Sequence, residues 1–290
     1  MESAGTTPGE SRTSSPVGLI AGGGSLPFAV AESLAAHGRA CVVFALRGAC
    51  DPKRVERFRH HWISVGQLGR TTQLFRGEGC RDLIFIGTLV RPSLSELRLD
   101  WAALRVIGQV WAAFRGGDDH LLSGIGRILE REGFRMVGIK DVAPDLLMPD
   151  GCLTRTTPDA DAAADIARGR EVLAALSPFD VGQAAVVIDG HVVGVEDIEG
   201  TDGLLARIAR LREQGRIRAA PKRGVLVKAP KSSQDLRFDL PTVGPRTVEG
   251  AMAGGLAGIA VLAGHTLVAE PQAMIERADA AGLFVTGMPA

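Results

Sequence analysis

The side chains best suited to chemistry lie in one polar stretch, Lys228 to Gly244. It follows an apolar run at residues 224–227, which predicts a buried strand leading into a loop. Cationic side chains bind phosphate oxygens and a carboxylate holds a hard divalent cation, so the stretch suits a phosphate with a metal. A surface loop with scattered charges is the alternative interpretation. The candidate residues are Lys228, Lys231, Gln234, Asp235, Arg237, Asp239 and Thr242.

A second polar cluster, at residues 196–203, precedes a helix predicted at 204–212. Thr201 is predicted to be the N-cap residue of this helix, and Asp202 suits the positive end of the helix dipole. Capping does not explain Glu196 or Glu199. Carboxylates of this cluster either bind a metal or activate water, or they are simply exposed to solvent.

Three glycines, Gly22 to Gly24, follow an apolar strand at 17–21 and precede a predicted helix that ends at His37. In such a turn the backbone N–H groups and the helix N-terminus can hold an anion. It is not the dinucleotide pattern G-x-G-x-x-G, because Pro27 takes the place of the third glycine. The next strand, at 41–46, is also not followed by an acid that would bind an NAD ribose. Phosphate or nucleotide binding, a structural turn and NAD binding all remain open interpretations.

Further candidates stand at the ends of other predicted elements. Arg91 follows a strand predicted at 82–87, at the edge where open α/β sheets bind ligands. It is either a phosphate contact or an ordinary surface arginine. Asp118 and Asp119 precede a helix that runs to Glu132. One of them suits the cap of that helix, and the other is a candidate to face a metal or a ribose.

The order of the predicted elements indicates an α/β protein with two domains. Strands and helices alternate in the first half, which favours a Rossmann-like parallel sheet. In the second half, Asp189-Gly190 between two apolar runs predicts a hairpin and therefore a mixed sheet. We expect a disordered tail at 1–15, a first domain at 16–143, a linker at 144–158 and a second domain at 159–290. The other main predictions are a strand at 63–65 and helices at 68–79, 101–115, 159–176, 247–253 and 271–282.

Composition narrows the function classes. The chain has 290 residues, of which 46% are hydrophobic, enough for sizeable cores. Lys and Arg together number 33, as do Asp and Glu, and this balance argues against a nucleic-acid-binding protein. The 4 cysteines have neither C-x-x-C spacing nor a histidine at zinc-ligand spacing, which favours reduced thiols in the cytoplasm. We expect neither a membrane span nor a signal peptide.

Seven segments, taken together and in order, resemble the LpxI-type UDP-2,3-diacylglucosamine pyrophosphatases of lipid A biosynthesis in Gram-negative bacteria. None is decisive alone, but their joint order is specific, and the resemblance extends over about residues 17–287. One departure is Thr88, which stands where the family pattern has Asn. The segments are 18–27, 91–92, 117–119, 180–183, 199–202, 228–231 and 239–244.

The resemblance implies a phosphoric anhydride hydrolase of lipid metabolism. The pyrophosphate of UDP-2,3-diacylglucosamine would be hydrolysed to UMP and 2,3-diacylglucosamine 1-phosphate (lipid X), with Mg²⁺ as cofactor. The N-terminal domain would bind substrate, the C-terminal domain would carry the hydrolytic groups, and the ligand would lie between them. Asp239 matches an aspartate on which the activity of the family depends. A lipid substrate without a spanning helix implies a cytoplasmic enzyme in weak peripheral contact with the inner membrane. The oligomeric state does not follow from the sequence, and a homodimer is left open.

Pyrophosphate hydrolysis needs charge neutralisation at the phosphoryl oxygens and a positioned water. Our hypothesis is that Asp239, with Asp202 or Glu196, holds Mg²⁺ or orients water, while Lys228 and Arg237 stabilise the developing charge. The predicted substrate-binding residues are Gly22, Gly23, Gly24, Ser25, Leu26, Pro27, Arg91, Asp118, Asp119, Gln183, Thr201, Gln234 and Thr242.

Two other functions stay open at this stage. A non-catalytic regulatory protein would bind a UDP-sugar without releasing UMP. An NAD-dependent oxidoreductase would bind nicotinamide dinucleotide at residues 22–27, although the missing ribose acid argues against it.

Overall fold

A computed structural model describes residues 15–88, 100–101, 118–231, 235–238 and 240–289, with residues 118–121 described in their backbone. The chain divides into two compact units, Met1–Ala143 and Pro144–Ala290. Most of the predicted tail at 1–15 and of the predicted helix at 101–115 lies outside the described residues.

The first unit is built on a five-stranded sheet in which all neighbouring strands are parallel. Its strands are β1 Val17–Ala21, β2 Cys41–Leu46, β3 His60–Ile63, β4 Asp82–Ile86 and β5 Arg135–Met136. The strand order is β3-β2-β1-β4-β5. The chain builds outward from β1 on one side and then crosses to β4 on the other, so the carboxyl ends of β1 and β4 form the topological switch point.

The first unit consists of buried apolar strands and of helices that connect them. All residues of β1 are buried, as expected for a parallel strand covered on both faces. The first helix has a proline in its first turn, a position where the missing N–H costs nothing. The helices described in this unit are α1 Leu26–Ala36, α2 Pro52–Val55, α3 Leu68–Gly77, α4 Asp118–Arg131 and α5 Ile139–Val142.

The second unit is built on a six-stranded mixed sheet and a two-stranded parallel sheet. Its strands are β6 Gly151–Cys152, β7 Ala184–Ile188, β8 His191–Val195, β9 Val225–Lys228, β10 Thr242–Val243, β11 Gly258–Leu262, β12 Leu267–Val268 and β13 Phe284–Met288. The order of the larger sheet is β6-β13-β11-β9-β7-β8. Its central strands β9, β11 and β13 are parallel, and β6, β7 and β8 pair antiparallel to their neighbours.

Helices cover both faces of the larger sheet. They are α6 Ala160–Leu176, α7 Gly200–Glu213, α8 Pro245–Ala253 and α9 Pro271–Ala281. Ala162 and Leu173 of α6 pack in one core with residues of the sheet. Apolar residues of α7, α8 and α9 pack in a second core on the other face. The predicted fold class, a Rossmann-like parallel domain followed by an α/β domain with a mixed sheet, is confirmed.

The stretch predicted as a linker, residues 144–158, belongs to the fold of the second unit. Met148 is only 1% exposed and lies in the core of that unit. Residues 151–152 pair with β13 as an antiparallel edge strand. The prolines of this stretch predict an open linker, but in the structure they interrupt a short segment that packs on the sheet. Likewise, the strand predicted at 63–65 is observed at His60–Ile63.

Candidate functional site

The glycine turn lies at the switch point of the first sheet and is bonded to the loop that follows β4. The N–H of Gly22 donates to the carbonyl of Ile86 at 2.7 Å, and the N–H of Gly23 donates to that of Thr88 at 2.8 Å. The N–H of Thr88 donates back to the carbonyl of Gly23 at 3.0 Å. A Cβ atom on Gly22 would lie 2.5 Å from the carbonyl oxygen of Thr88, which only glycine avoids. Gly22 and Gly23 therefore join two loops, and their N–H groups are already bonded within the protein.

The donors that suit an anion lie one step further along the turn. The N–H groups of Gly24, Ser25 and Leu26 have no acceptor within the described part of the chain. Gly24 is exposed, and the three residues lead into the first turn of α1. Unpaired N–H groups at a helix N-terminus favour a phosphate. Pro27 has no N–H to offer, so it shapes the turn without donating.

A cysteine that the sequence reading did not single out supports this turn. The thiol of Cys50 donates to the carbonyl oxygens of Ala21 and Gly22, each at 3.0 Å. Burial raises the pKa of the Cys50 thiol, so the sulfur keeps its proton at neutral pH. No local pattern marks this residue, because its partners lie 28 and 29 positions earlier in the chain.

For the remaining candidates of the first unit, the structure describes the backbone of two residues. Asp118 and Asp119 are the first two residues of α4, in agreement with a position at the start of a helix. Arg91 lies outside the described residues.

In the second unit, a buried chain of hydrogen bonds joins Lys228, Thr201 and Glu196. The Lys228 Nζ donates to the Thr201 Oγ1 at 2.9 Å and to the Thr242 carbonyl at 3.1 Å. Thr201 Oγ1 donates to Glu196 Oε1 at 2.9 Å. The N–H of Gln183 donates to Glu196 Oε2 at 2.8 Å. Lys228 is 3% exposed and Glu196 is 6% exposed, so an ammonium and a carboxylate are held inside the protein with a hydroxyl between them.

Four elements bring these groups together. Lys228 is the last residue of β9 and pairs with Ala184, the first residue of β7. Glu196 directly follows β8, and Thr201 lies in the first turn of α7. Thr242, whose carbonyl accepts from Lys228, begins β10. The prediction that Lys228 lies in a loop is therefore wrong, because the ladder with β7 extends the strand through this residue.

Thr201 is also not the N-cap residue predicted from the sequence. The helix begins one residue earlier, and the residue at its cap, Glu199, makes no side-chain capping hydrogen bond. The Thr201 hydroxyl is used instead between Lys228 and Glu196. A local capping preference is overridden here by partners from two other elements.

Gln183 adds a buried acceptor next to this chain. Its backbone carbonyl accepts from the N–H of Ala229 at 3.1 Å, which fixes it beside the end of β9. Its side-chain Oε1 is buried and has no hydrogen-bond partner among the residues described. Buried amide oxygens are rarely left without a donor, so this atom suits a donor from a ligand.

The other charged candidates form separate pairs. The Lys231 Nζ lies 2.7 Å from Asp180 Oδ1. The Arg237 Nη2 lies 2.8 Å from Asp235 Oδ2, and its guanidinium also contacts the ring of Phe238, 5.2 Å from the centroid. Part of the charge of Arg237 is therefore balanced by a carboxylate two residues away.

The predicted metal ligands do not form a metal site within the described residues. Both Glu196 oxygens accept protein hydrogen bonds. Asp202 Oδ2 lies 2.8 Å from the Arg246 Nη2, in a pair with both side chains largely exposed. The described residues contain no group of three or more His, Cys, Asp or Glu able to hold a metal. Asp239, the third predicted ligand, and Gln234 lie outside the described residues.

Fold and site together define a two-unit α/β protein, with a glycine turn at a Rossmann-like switch point and a buried lysine–threonine–glutamate network in the second unit. No helix within the described residues is long and apolar enough to cross a membrane.

The comparisons with known proteins identify the family. The model of the LpxI N-terminal domain matches residues 16–146, and that of the LpxI C-terminal domain matches residues 149–286. The chain is 41% identical over 272 residues to the UDP-2,3-diacylglucosamine pyrophosphatase LpxI of Caulobacter vibrioides, covering 94% of this chain and 97% of the relative. The chain therefore belongs to the LpxI family. The resemblance seen in the sequence is confirmed, and the predicted enzyme class is the one that the relative's name states.

Proposed function

We propose that this protein hydrolyses the pyrophosphate of UDP-2,3-diacylglucosamine to UMP and 2,3-diacylglucosamine 1-phosphate, in lipid A biosynthesis. The observation that carries the proposal is the match to a pyrophosphatase over 94% of this chain and 97% of the relative. Both units take part in this match, since it extends over nearly the whole of both chains. A non-catalytic UDP-sugar-binding protein and an NAD-dependent oxidoreductase lose support for the same reason.

In this proposal the glycine turn binds a phosphate and the second unit supplies the charge for hydrolysis. The N–H groups of residues 24–26 hold substrate phosphate oxygens at the start of α1. The ammonium of Lys228 and the guanidinium of Arg237 stabilise the negative charge that develops on the phosphoryl oxygens. Asp239 orients the attacking water. The support for Lys228 is that its ammonium is buried and held by a hydroxyl and a carbonyl.

Magnesium dependence is a further part of the proposal. A divalent ion would neutralise the diphosphate oxygens of the substrate. The described members of the predicted ligand set do not fit a metal centre, because Glu196 is satisfied by protein donors and Asp202 faces Arg246. The roles of Lys228 and the glycine turn do not depend on the ion.

We further propose that the enzyme acts from the cytoplasm, in weak peripheral contact with the inner membrane. The support is the chemistry of the substrate, whose two acyl chains anchor it in a lipid layer. A homodimer stays a prediction.

Incubation of the purified protein with UDP-2,3-diacylglucosamine, with and without Mg²⁺, tests the function. We expect UMP and the sugar 1-phosphate in equal amounts with the ion present, and much less of both after chelation. Binding of the substrate without UMP release would favour the regulatory alternative. Binding of a nicotinamide dinucleotide, again without UMP release, would favour the oxidoreductase.

The variant Asp239→Asn tests the residue that the resemblance singles out. We expect it to fold normally and to lose at least about 100-fold in kcat, as is typical for the loss of a major catalytic group. Asp197→Asn is the matched control, because Asp197 is exposed and takes no part in the proposed mechanism. Turnover of Asp239→Asn close to that of the control would remove Asp239 from the mechanism.

A further inference from the structure

We propose that Thr201 and Glu196 are positioning residues that fix the direction of the Lys228 ammonium. The inference rests on the proposed function, in which Lys228 stabilises the charge of the reacting phosphate. It replaces the sequence-based roles of the two residues, substrate binding for Thr201 and metal binding for Glu196.

The direction of each hydrogen bond supports this role. A threonine hydroxyl has one proton to donate, and a lysine ammonium can only donate. Thr201 Oγ1 accepts from Lys228 at 2.9 Å, so its own proton goes to Glu196 Oε1, also at 2.9 Å. The hydroxyl therefore has one orientation that satisfies both neighbours, and in this orientation it helps the Thr242 carbonyl to fix where the ammonium lies.

The carboxylate is itself held in place. Glu196 Oε2 accepts the N–H of Gln183 at 2.8 Å, and the backbone of Gln183 is bonded to Ala229, the residue after Lys228. Rotation of the carboxylate would break one of its two hydrogen bonds. The series of hydrogen bonds from Gln183 through Glu196 and Thr201 thus ends at Lys228, the last residue of β9.

Burial makes the arrangement sensitive to the loss of any member. A lysine side chain gives up about 2 kcal/mol of rotamer entropy when it is ordered, so acceptors at defined places are needed to hold it. A buried charge that loses its partner is strongly destabilised. Lys228 and Glu196 are both nearly fully buried, and the link between them passes through Thr201.

The test compares Thr201→Val with Thr201→Ser. Valine keeps the shape and removes the hydroxyl, and we expect kcat to fall about 10- to 100-fold, as for the loss of supporting contacts around a catalytic group. KM should change little, because the ammonium acts on charge that develops in the transition state. Serine restores the hydroxyl and should restore most of kcat. Glu196→Gln should lower kcat about as much as Thr201→Val does. The double variant Thr201→Val/Glu196→Gln should have a kcat no lower than that of the poorer single variant, since both residues act through one series of hydrogen bonds.

Thr266→Val is the matched control. Thr266 is fully buried in the same unit, and its hydroxyl has no hydrogen-bond partner among the residues that the structure describes. We expect wild-type kcat from this variant. If Thr201→Val keeps wild-type kcat, or if Thr201→Ser is as impaired as Thr201→Val, the positioning role is wrong.

A second readout separates this inference from the proposed function. A buried, hydrogen-bonded lysine ammonium exchanges its protons slowly, so its ¹H–¹⁵Nζ signal should be visible by NMR and should be absent in Lys228→Met. We expect this signal in the wild type and in Thr201→Ser, and its loss in Thr201→Val. A wild type that releases no UMP but shows this pattern would overturn the function and keep the positioning. A Lys228 signal unchanged in Thr201→Val would overturn the positioning, whatever the activity.

Discussion

Two threonines of the second unit differ in what their hydroxyl groups contact. Thr201 bridges an ammonium and a carboxylate. Thr266 is 0% exposed, and its Oγ1 has no partner within the described ranges. A buried hydroxyl without a partner keeps the cost of its lost hydration. The Thr201 hydroxyl therefore stabilises two buried charged groups, whereas burial of the Thr266 hydroxyl lowers stability.

We predict that Thr266→Val raises the free energy of unfolding by about 1 kcal/mol, because it removes an unsatisfied buried polar group without changing the shape of the side chain. Thr247→Val is the comparison. The Thr247 Oγ1 accepts the N–H of Gly244 at 3.2 Å at the start of α8, so its loss should lower stability by about 1 kcal/mol. Urea unfolding of the three proteins measures both changes. A destabilised Thr266→Val would show that its hydroxyl has a partner.

At the scale of elements, a carboxylate of helix α6 holds the turn of the β7–β8 hairpin. Asp189 and Gly190 have φ values of 51° and 77°, as in the two-residue turns that suit twisted strands. Their N–H groups both donate to Asp165, at 3.2 Å and 2.6 Å, and Asp165 is 2% exposed. The turn follows from the local sequence, whereas its attachment to the helix needs the tertiary fold.

We predict that Asp165→Ala lowers the free energy of unfolding by at least about 1.5 kcal/mol, since it removes two charge-assisted hydrogen bonds to a buried carboxylate. Glu171→Ala on the same helix is the control. Glu171 forms an exposed ion pair with Arg168, and such pairs contribute little to stability. Thermal and urea unfolding followed by circular dichroism compare the two. Equal losses would mean that the hairpin does not depend on its anchor.

At the scale of the whole molecule, each unit has its own sheet and the second has cores on both faces of that sheet. A unit with its own core can fold without its neighbour. The segment 144–158 belongs to the second unit, because Met148 fills part of the core of that unit and β6 extends the larger sheet. In addition, Thr154 Oγ1 accepts the N–H of Val285 at 3.0 Å on β13.

We therefore predict that a fragment of residues 144–290 folds and unfolds cooperatively, and that a fragment of residues 159–290 is markedly less stable. The shorter fragment exposes the core that Met148 covers and leaves the edge of β13 unpaired. Thermal unfolding of both fragments, followed by circular dichroism, provides the measurement. Equal midpoints would restore the interpretation of 144–158 as a linker.

Local patterns account for the parts of the fold that were predicted correctly. The apolar runs of β1, β2 and β4 and the Asp189-Gly190 turn carry their own signals over a few residues. The two errors in the candidate site have a shared cause. Lys228 and Thr201 have local preferences for a polar loop and a helix cap, and contacts with other elements override both.

The sequence by itself determined the fold class, the family and the polar segments that make the candidate site, because periodicity and motif order can be read along the chain. Only the tertiary structure decided which polar groups meet. Lys228 and Thr201 are 27 positions apart, and Cys50 reaches a turn 28 and 29 positions away. Such pairings depend on sheet order and register, which bring distant strand ends to one place, and the spacing of residues along the chain does not encode them.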